Sequence, residues 1–455
     1  MSALRPFPGD FLWGAATSAY QIEGSPLADG AGPSIWHQFA HTPGHVRGGD
    51  TGDVACDHYR RMAEDVALMA RLGLRAYRFS VSWSRILPQG RGHVNPAGLG
   101  FYERLVDALL ERDIVPLLTL YHWDLPAALD MYGGWLNPDS PHWFADYAEV
   151  LFRALGDRVR LWITINEPWV VAHCGYLQGV HAPGHRNLYQ APMVSIHLLQ
   201  SHALAVAAFR ACCDGRIGIA LNLEPQYPAT QHPADVAAAQ RREAYVNRQY
   251  LDPLLLGRYP PELARLFGEA WPRDADARIA TARGSLDFLG INYYTRAVVR
   301  AEPRSVPERA APVPPASAPR TAMGWEIHPQ GLADVFAELR HRAPTLPLYI
   351  TENGAAFDDP PAAHGLVDDG ARVRYLGDHL RVARAALAAG SDLRGYFVWS
   401  LLDNFEWQHG YSRRFGIVHV DFASQRRTPK HSAWFYRDVI HSHGRALDEA
   451  GTRGL

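Results

Sequence analysis

Eight apolar segments that alternate with helical segments are the feature that most constrains the fold of this chain. The apolar segments lack polar–apolar alternation, which is typical of strands buried on both faces of a parallel sheet. They are predicted at residues 11–17, 75–83, 115–122, 159–166, 216–223, 286–294, 348–351 and 393–400. Helices cover such a sheet, and eight strands are the number that closes a barrel. We therefore predict an α/β fold, a single (β/α)8 TIM barrel with extended loops at its C-terminal face.

The intervening helices are predicted at 58–72, 96–112, 143–155, 194–212, 236–256, 332–340, 371–389 and 432–443. An open, doubly wound sheet of eight strands is the structural alternative. No Gly-x-Gly-x-x-Gly pattern follows any of the predicted strands, so the barrel is favoured. Because barrels with long insertions form one unit, we predict one catalytic domain over residues 1–455.

Composition narrows the classes of function. The 45 basic and 47 acidic side chains give a net charge of −2, so we predict no nucleic-acid partner. The N-terminus has no apolar leader and no uninterrupted apolar run approaches a membrane span, so we predict no membrane partner. The four cysteines have no metal-ligand spacing, which favours a reducing, cytoplasmic location. The 13 tryptophans and 20 tyrosines suit flat platforms for sugar rings.

Two similar strand ends carry glutamates. The segment 161–168 is an apolar run that ends in Asn166, Glu167 and Pro168, and the proline predicts an extended Glu167 at the end of a strand. The segment 348–354 has the same approach and ends in Glu352. The alternative is that both are ordinary strand ends with helix-capping carboxylates. Only a closed or folded-back sheet could bring together two glutamates separated by 352 − 167 = 185 positions.

In a barrel, the residues that finish the strands share one mouth. Besides the two glutamates, they are Gln21, Arg78, His122, Asn166, Asn292, Tyr294, Trp399, Glu406 and Trp407. No Gly-x-Ser-x-Gly elbow and no phosphate loop accompanies them. A pair of carboxyl groups in a polar, aromatic pocket indicates glycoside hydrolysis. In that reaction one carboxylic acid protonates the leaving oxygen, and the other group acts as a carboxylate at the anomeric carbon.

Seven motifs carry a family resemblance. They are FLWGAATSAYQIEG from Phe11, YRFSVSWSR from Tyr77, YHWDLP from Tyr121, ITINEPW from Ile163, GINYY from Gly290, ITENG from Ile350 and WSLLDNFEW from Trp399. On these motifs the chain resembles family 1 glycoside hydrolases, the β-glucosidase family, over essentially its whole length. The resemblance implies a retaining β-glycosidase on a single barrel, with no cofactor.

The resemblance also implies roles for individual residues. Glu167 would be the acid/base and Glu352 the nucleophile, with Arg78 supporting Glu352. The substrate-binding residues would be Gln21, His122, Asn166, Asn292, Tyr294, Trp399, Glu406 and Trp407, with Trp399 stacked beneath the sugar. A cis peptide bond between Trp399 and Ser400 is implied as well.

Physical chemistry supports these roles. A nucleophile must be ionised, and an arginine and a tyrosine hydroxyl beside Glu352 are expected to lower its pKa. An acid must hold its proton near neutrality, and an apolar wall and the charge of Glu352 are expected to raise the pKa of Glu167. Retention requires the two carboxyl groups to lie about 5–5.5 Å apart.

The segment 301–320 differs in composition from the rest of the chain, because it is rich in proline and alanine and contains no aromatic residue. We predict a mobile loop over the site that does not form a packed core. Trp325 follows this loop, and with Trp169 it is predicted to form the outer subsite for the aglycone as an exposed, flat shelf.

Several alternatives remain open. A 6-phospho-β-glucosidase is disfavoured because Glu406 would repel a phosphate dianion. A non-catalytic sugar-binding relative should have lost one glutamate, and both are present. Three of the candidate site residues could instead have structural roles. His122 could be a core histidine, Trp399 could belong to the barrel core, and Arg78 could be a structural ion-pair partner.

The expected partners are small-molecule β-glucosides and cello-oligosaccharides, with β-galactosidase or β-fucosidase side activity and a homo-oligomer left open. Histidines are scattered at 41, 45 and 58 and paired at 441 and 443. They lack three convergent ligands, so we predict a solvated surface and no metal site.

Overall fold

Eight parallel strands close into a barrel in the order of the sequence. The computed structural model describes residues 5–313, 315–361 and 365–449. The strands are Leu12–Ala16, Ala76–Ser80, Val115–Tyr121, Leu161–Asn166, Arg216–Asn222, Phe288–Asn292, Leu348–Asn353 and Leu393–Trp399. The first strand pairs with the last over its whole length, from Leu12 with Gly395 to Ala16 with Trp399. The predicted TIM barrel is therefore confirmed.

A helical segment follows every strand and packs on the outside of the barrel. These helices are His58–Arg71, Pro96–Leu110, Ser140–Leu155, Gln190–Cys212, Pro233–Glu243 with Gln249–Leu256, Pro329–Arg342, Gly370–Ala388 and His431–His441. All eight predicted helices are present. The fifth is interrupted by a π-helical stretch, Ala244–Arg248, which apolar periodicity does not signal.

Short helices lie within the loops that leave the carboxyl ends of the first four strands. They are Ala19–Ile22, Ile35–Ala40, Trp83–Ile86, Ala127–Asp130 and Pro168–Val170. These loops build up the C-terminal face, as predicted. That residues 1–455 act as one catalytic domain stays a prediction.

The helix Gln190–Cys212 is long and apolar enough to cross a membrane by length and composition alone. The sequence prediction concerned uninterrupted apolar runs, and serine, histidine, glutamine and arginine residues interrupt this helix. Of the most apolar 18-residue window of this helix, 72% is buried inside the protein. The helix packs against Ser140–Leu155 and against the fourth and fifth strands, so its apolar surface serves the core.

The segment 301–320 is partly packed, which corrects the prediction of a loop without a core. Its residues Ala310–Pro312 pair with the strand Ala297–Ala301, which in turn pairs with Gln226–Pro228. Alanines of the helix Pro233–Glu243 pack against this small sheet, where Ala310 is only 3% exposed. Small side chains allow this close approach, so an alanine-rich segment can be buried without aromatic residues. Pro314 lies outside the described residues, and mobility of this segment stays a prediction.

The fourth strand ends in a sharp turn that positions Glu167. Its N–H group donates to the carbonyl of Ala220 at 2.9 Å, so strand pairing continues up to this residue. Glu167 then adopts a left-handed conformation, with φ 47° and ψ 64°, and Pro168 begins the next helix. The predicted extended conformation is wrong, because the chain must turn at once from strand to helix and only the right-handed α region is disfavoured before proline.

The seventh and eighth strands approach closely at Gly354. A Cβ atom at this position would lie 1.7 Å from the backbone oxygen of Trp399. Only glycine fits there, so Gly354 fixes the distance between the strands that carry Glu352 and Trp399.

A buried charge network ties together the loops that follow these two strands. The ammonium group of Lys430 lies 2.5 Å from Asp359 Oδ2 and 2.8 Å from Asp403 Oδ1. Arg372 contacts Asp359 at 2.9 Å, and Arg414 contacts Asp403 at 2.8 Å. Lys430 and both carboxylates are buried, so each charge depends on its partners.

We predict that Lys430→Met lowers the free energy of unfolding by about 3 kcal/mol, because it leaves two buried carboxylates short of a cation. Urea unfolding followed by tryptophan fluorescence measures the loss. The matched control is Arg304→Met, whose side chain is 95% exposed and lies 3.7 Å from Glu302. The control should change stability by no more than about 0.5 kcal/mol. Equal effects of the two substitutions would contradict this account of the network.

Candidate active site

A pocket of about 270 Å³ opens at the C-terminal face of the barrel. Ten of the predicted site residues line it, namely His122, Glu167, Trp169, Asn292, Tyr294, Trp325, Glu352, Trp399, Glu406 and Trp407. The two glutamates that are far apart in sequence thus face one cavity. Arg78, Asn166 and Gln21 do not line the cavity, and each contacts a residue that does.

Glu352 is held by two donors. Its Oε1 lies 2.5 Å from a guanidinium nitrogen of Arg78, and its Oε2 accepts a hydrogen bond from the Tyr294 hydroxyl at 2.5 Å. Arg78 and Glu352 are nearly inaccessible to solvent, with exposures of 1% and 3%. Charge-assisted bonds of this kind favour the ionised carboxylate and fix its orientation.

Asn166 connects the two carboxyl groups through its own side chain. Its Oδ1 accepts from Arg78 at 2.7 Å and from Asn292 at 2.9 Å. The Asn292 amide also donates to Glu167 Oε1 at 2.7 Å. One amide network therefore positions both glutamates.

The same network assigns the tautomer of His122. Because Asn166 Oδ1 accepts from Arg78, its Nδ2 is the donor to His122 Nε2 at 3.1 Å. Burial and the charge of Arg78 hold the pKa of His122 well below its ordinary value, so the ring is neutral. Its proton then lies on Nδ1, which is buried and has no partner among the described residues. The N–H group at Nδ1 of His122 is therefore an unpaired, buried donor among the described residues.

The two carboxyl groups differ in how they hold a proton. Burial, and then the charge of Glu352, raise the pKa of Glu167 to about 8. Burial also raises the pKa of Glu352, but Arg78 and the Tyr294 hydroxyl oppose this increase. Burial outweighs both donors, so the expected lowering of the Glu352 pKa is wrong, although Arg78 and Tyr294 still favour the ionised form of this carboxyl.

Glu406 is a third buried carboxyl group in the pocket. Burial and the charge of Glu352 raise its pKa to about 8, and the Gln21 amide opposes this at 3.4 Å. The remaining contacts of the Gln21 side chain are internal, to Ser18, Asn404 and the carbonyl of Phe405. Burial thus favours the protonated form of Glu406, whereas a fixed negative charge was expected from the sequence.

Aromatic rings form the walls of the pocket. The Trp399 indole lies nearly parallel to the His122 ring, with centroids 5.7 Å apart and planes 18° apart. Trp407 packs against Trp123 and Trp36, each with a centroid distance of 4.6 Å. The peptide bond between Trp399 and Ser400 is cis, as the resemblance implies.

The two tryptophans predicted for the outer subsite, Trp169 and Trp325, line the pocket. The Trp169 indole stacks on His173 with centroids 4.2 Å apart. Trp325 packs against Tyr294 at 5.4 Å and Phe415 at 6.1 Å, so it is half-buried and not fully exposed as predicted.

Several lining residues were missed by the sequence analysis. They are Trp123, Val170, Cys174, His181, Asn222, Leu223, Glu224, Thr295, Met323, Gln408, His409 and Phe415. Asn222 ends the fifth strand, so the strand-end rule could have found it. His181 and Gln408 lie on loops and meet by a hydrogen bond of 2.6 Å across 227 positions, which no local pattern signals.

The described residues contain one group of three side chains that could hold a metal ion, His37, His41 and Asp53. None of these residues lines the pocket.

Comparison with known proteins places the chain in a family. The family model for glycosyl hydrolase family 1 matches residues 3–445. The chain is 49% identical to a 1,4-β-D-glucan glucohydrolase of Thermotoga neapolitana and to β-glucosidase A of Thermotoga maritima. Both alignments span 443 residues and cover 97% of this chain and 99% of the relative.

The structure of the Thermotoga maritima β-glucosidase in complex with deoxynojirimycin has a TM-score of 0.95 and 48% sequence identity to this chain. That match covers 97% of this chain and all of the other (100%). The chain belongs to glycosyl hydrolase family 1.

Proposed function

We propose that the chain is a retaining exo-β-glucosidase with Glu167 as the acid/base and Glu352 as the nucleophile. The observation that carries the proposal is the contrast between the two buried carboxyl groups. Arg78 and Tyr294 bind Glu352 directly and favour its ionised form, whereas at Glu167 burial and the charge of Glu352 outweigh the Asn292 amide and the charge of Arg78. A glycosidase that forms a covalent intermediate needs one ionised and one protonated carboxyl group.

In the first step, the Glu352 carboxylate attacks the anomeric carbon as the bond to the aglycone oxygen breaks. The departing oxygen takes the bonding electron pair and the proton of Glu167. The glycosyl-enzyme that forms has no charge at Glu352. The repulsion that helps to raise the pKa of Glu167 is then gone, so this carboxyl stays ionised.

In the second step, Glu167 takes a proton from water as the water oxygen attacks the anomeric carbon. The bond to Glu352 breaks and its carboxylate is restored. Two displacements on the same carbon return the original configuration, which makes the product a β-sugar.

The sugar would lie between the aromatic walls with its hydroxyl groups on buried polar side chains. His122, Asn292 and Glu406 line the pocket where these hydroxyls would bind. Gln21 and Asn166 would act mainly through the residues they orient, Glu406 and His122. Trp169 and Trp325 would form the outer subsite for the aglycone.

Neutral glucosides are the substrate class that the pocket supports best. No arginine or lysine lines it among the described residues, so a 6-phosphate would enter without a cation to pair with. The glucosidase and glucan glucohydrolase names of the relatives support glucose, with cello-oligosaccharides as natural substrates. Galactoside and fucoside side activities and a cytoplasmic location stay predictions.

The two glutamates should fail in different ways. Glu352→Gly should lose activity on all glucosides, and azide should restore turnover by direct displacement, giving the α-glucosyl azide. Glu167→Ala should still form the glycosyl-enzyme from dinitrophenyl glucoside, because this leaving group needs no proton. On poorer leaving groups the loss should be roughly 10²–10⁴-fold.

Azide should then accelerate the second step of Glu167→Ala and give the β-glucosyl azide. Nuclear magnetic resonance of the azide products distinguishes the two configurations. The β-azide from Glu352→Gly together with the α-azide from Glu167→Ala would mean that the two roles are reversed.

The pH profile should report the two carboxyl groups. Activity should fall as the pH rises through the pKa of Glu167, about 8, because the acid then loses its proton. Tyr294→Phe removes a hydrogen bond that stabilises ionised Glu352, so the pKa of Glu352 should rise. A hydrogen bond to a charged group contributes about 1.5–3 kcal/mol, so the acid limb of kcat/KM should move up by about one to two pH units.

Tyr349→Phe is the matched control, because Tyr349 is buried on the same strand as Glu352 but does not line the pocket. Its acid limb should coincide with that of the wild type. An unshifted acid limb in Tyr294→Phe would contradict the proposed role of Tyr294.

Nitrophenyl β-glycosides that differ only in the sugar test the substrate class. We predict the highest kcat/KM on the glucoside and a value at least roughly a hundredfold lower on its 6-phosphate, a difference of about 2.7 kcal/mol. The reason is that a phosphate dianion would be desolvated beside acidic groups without a partner. Preference for the 6-phosphate would replace the proposed function with that of a 6-phospho-β-glucosidase.

A further inference from the structure

Two histidines and one aspartate converge outside the pocket. His37 lies in the helix Ile35–Ala40, and His41 ends this helix one turn later, so both rings project from the same face. Asp53 approaches from the following loop. Asp53 Oδ1 lies 3.5 Å from His37 Nδ1, and Oδ2 lies 3.0 Å from His41 Nε2.

Hydrogen bonding assigns the tautomer of His41. Its Nδ1 lies 2.7 Å from the backbone carbonyl of His37, and a carbonyl oxygen only accepts, so Nδ1 carries a hydrogen. In the neutral ring, Nε2 then has a lone pair directed at the Asp53 carboxylate. Two acceptors at this distance require a proton or a cation between them.

His37 supplies a second observation that favours the cation. Its Nδ1 is buried, has no hydrogen-bond partner among the described residues and faces the same carboxylate. Buried polar atoms rarely remain unpaired in folded proteins. A proton shared by His41 and Asp53 leaves this atom unpaired, whereas a cation bound by all three side chains satisfies it.

We propose that His37, His41 and Asp53 form a binding site for a divalent transition-metal cation such as Zn²⁺. Bonds of 2.0–2.2 Å in a tetrahedral site place the ligand atoms about 3.3 Å apart. Asp53 lies 3.0 Å from His41 through Oδ2 and 3.5 Å from His37 through Oδ1, and one ligand atom from each of the three side chains lies within 4.8 Å of the other two. Imidazole and carboxylate ligands suit Zn²⁺, and the exposed side of the site leaves a position for water.

The site joins two segments that support Trp407. Trp36 precedes His37 and packs on Trp407 with a centroid distance of 4.6 Å. On the other segment, the N–H of Gly52 donates to the Tyr20 hydroxyl at 3.4 Å, and Tyr20 stacks on Trp407 at 6.5 Å. A bound cation would therefore link the two chain segments that support Trp407, which forms part of the pocket wall.

Calorimetric titration of the chelator-treated, full-length chain with zinc chloride tests the proposal. The variants His41→Ala and Asp53→Asn each remove a ligand whose side chain is 42–44% exposed, so both should fold. The matched control is His45→Ala, because His45 is exposed nearby and lies outside the cluster. Because the chain has 22 histidines, this control also shows how much the loss of one histidine outside the cluster changes weak Zn²⁺ binding.

We expect the wild type and His45→Ala to bind one Zn²⁺ per chain, and each ligand variant to bind at least tenfold more weakly. Zn²⁺ should raise the melting temperature of the wild type and of His45→Ala but not of the ligand variants, because it binds the folded chain. Co²⁺ should give the visible absorption of a nitrogen- and oxygen-ligated site. Unchanged affinity in His41→Ala and Asp53→Asn, or no binding by the wild type, would overturn the proposal and leave a proton between His41 and Asp53.

Discussion

The ion pair between Arg78 and Glu352 is the interaction on which the site depends. Arg78 belongs to the second strand and Glu352 to the seventh, so their contact of 2.5 Å crosses the barrel. The same guanidinium donates to Asn166 at the end of the fourth strand. A guanidinium is planar and presents its donors in fixed directions, so one side chain of the second strand sets the positions of groups from the fourth and seventh strands.

Charge balance in the pocket follows from this pair. Glu167, Glu352 and Glu406 are all buried in one cavity, and the charge of Glu352 disfavours the ionisation of the other two. Arg78 stabilises the charge of Glu352, while the pKa values of Glu167 and Glu406 rise to about 8. The pocket thus carries little net charge near neutrality, which suits a neutral sugar and leaves protonated carboxyl groups as donors. A phosphorylated sugar is consequently disfavoured because no arginine or lysine of the described residues lines the pocket, and not because Glu406 is charged.

Much of the architecture could be predicted from the sequence, because buried parallel strands have continuous apolar runs and their ends share one face. This reasoning brought Glu167 and Glu352 to one pocket across 185 positions, and all eight strands lie where they were expected. The motifs of the family supplied the roles, which the residue types alone left open.

The sequence predictions failed at positions where contacts between distant parts of the chain outweigh local sequence preferences. The left-handed backbone of Glu167 results from a turn that must satisfy both Ala220 and the following helix. The burial of Ala310 depends on a small sheet and a helix from another part of the chain, and Trp325 is covered by Phe415. Likewise, the meeting of His37 and His41 with Asp53 depends on the path of a loop, which no sequence spacing reveals.

The central claim is that Glu352 forms the covalent bond to the sugar, and trapping that intermediate tests it most directly. A dinitrophenyl 2-deoxy-2-fluoro-β-glucoside should inactivate the protein with one sugar bound per chain. The fluorine slows both steps, but the good leaving group keeps the first step fast, so the glycosyl-enzyme accumulates. Mass spectrometry of proteolytic peptides should find the label on the peptide that contains Glu352. A label on Glu167, or steady release of sugar with no labelled chain, would contradict the account.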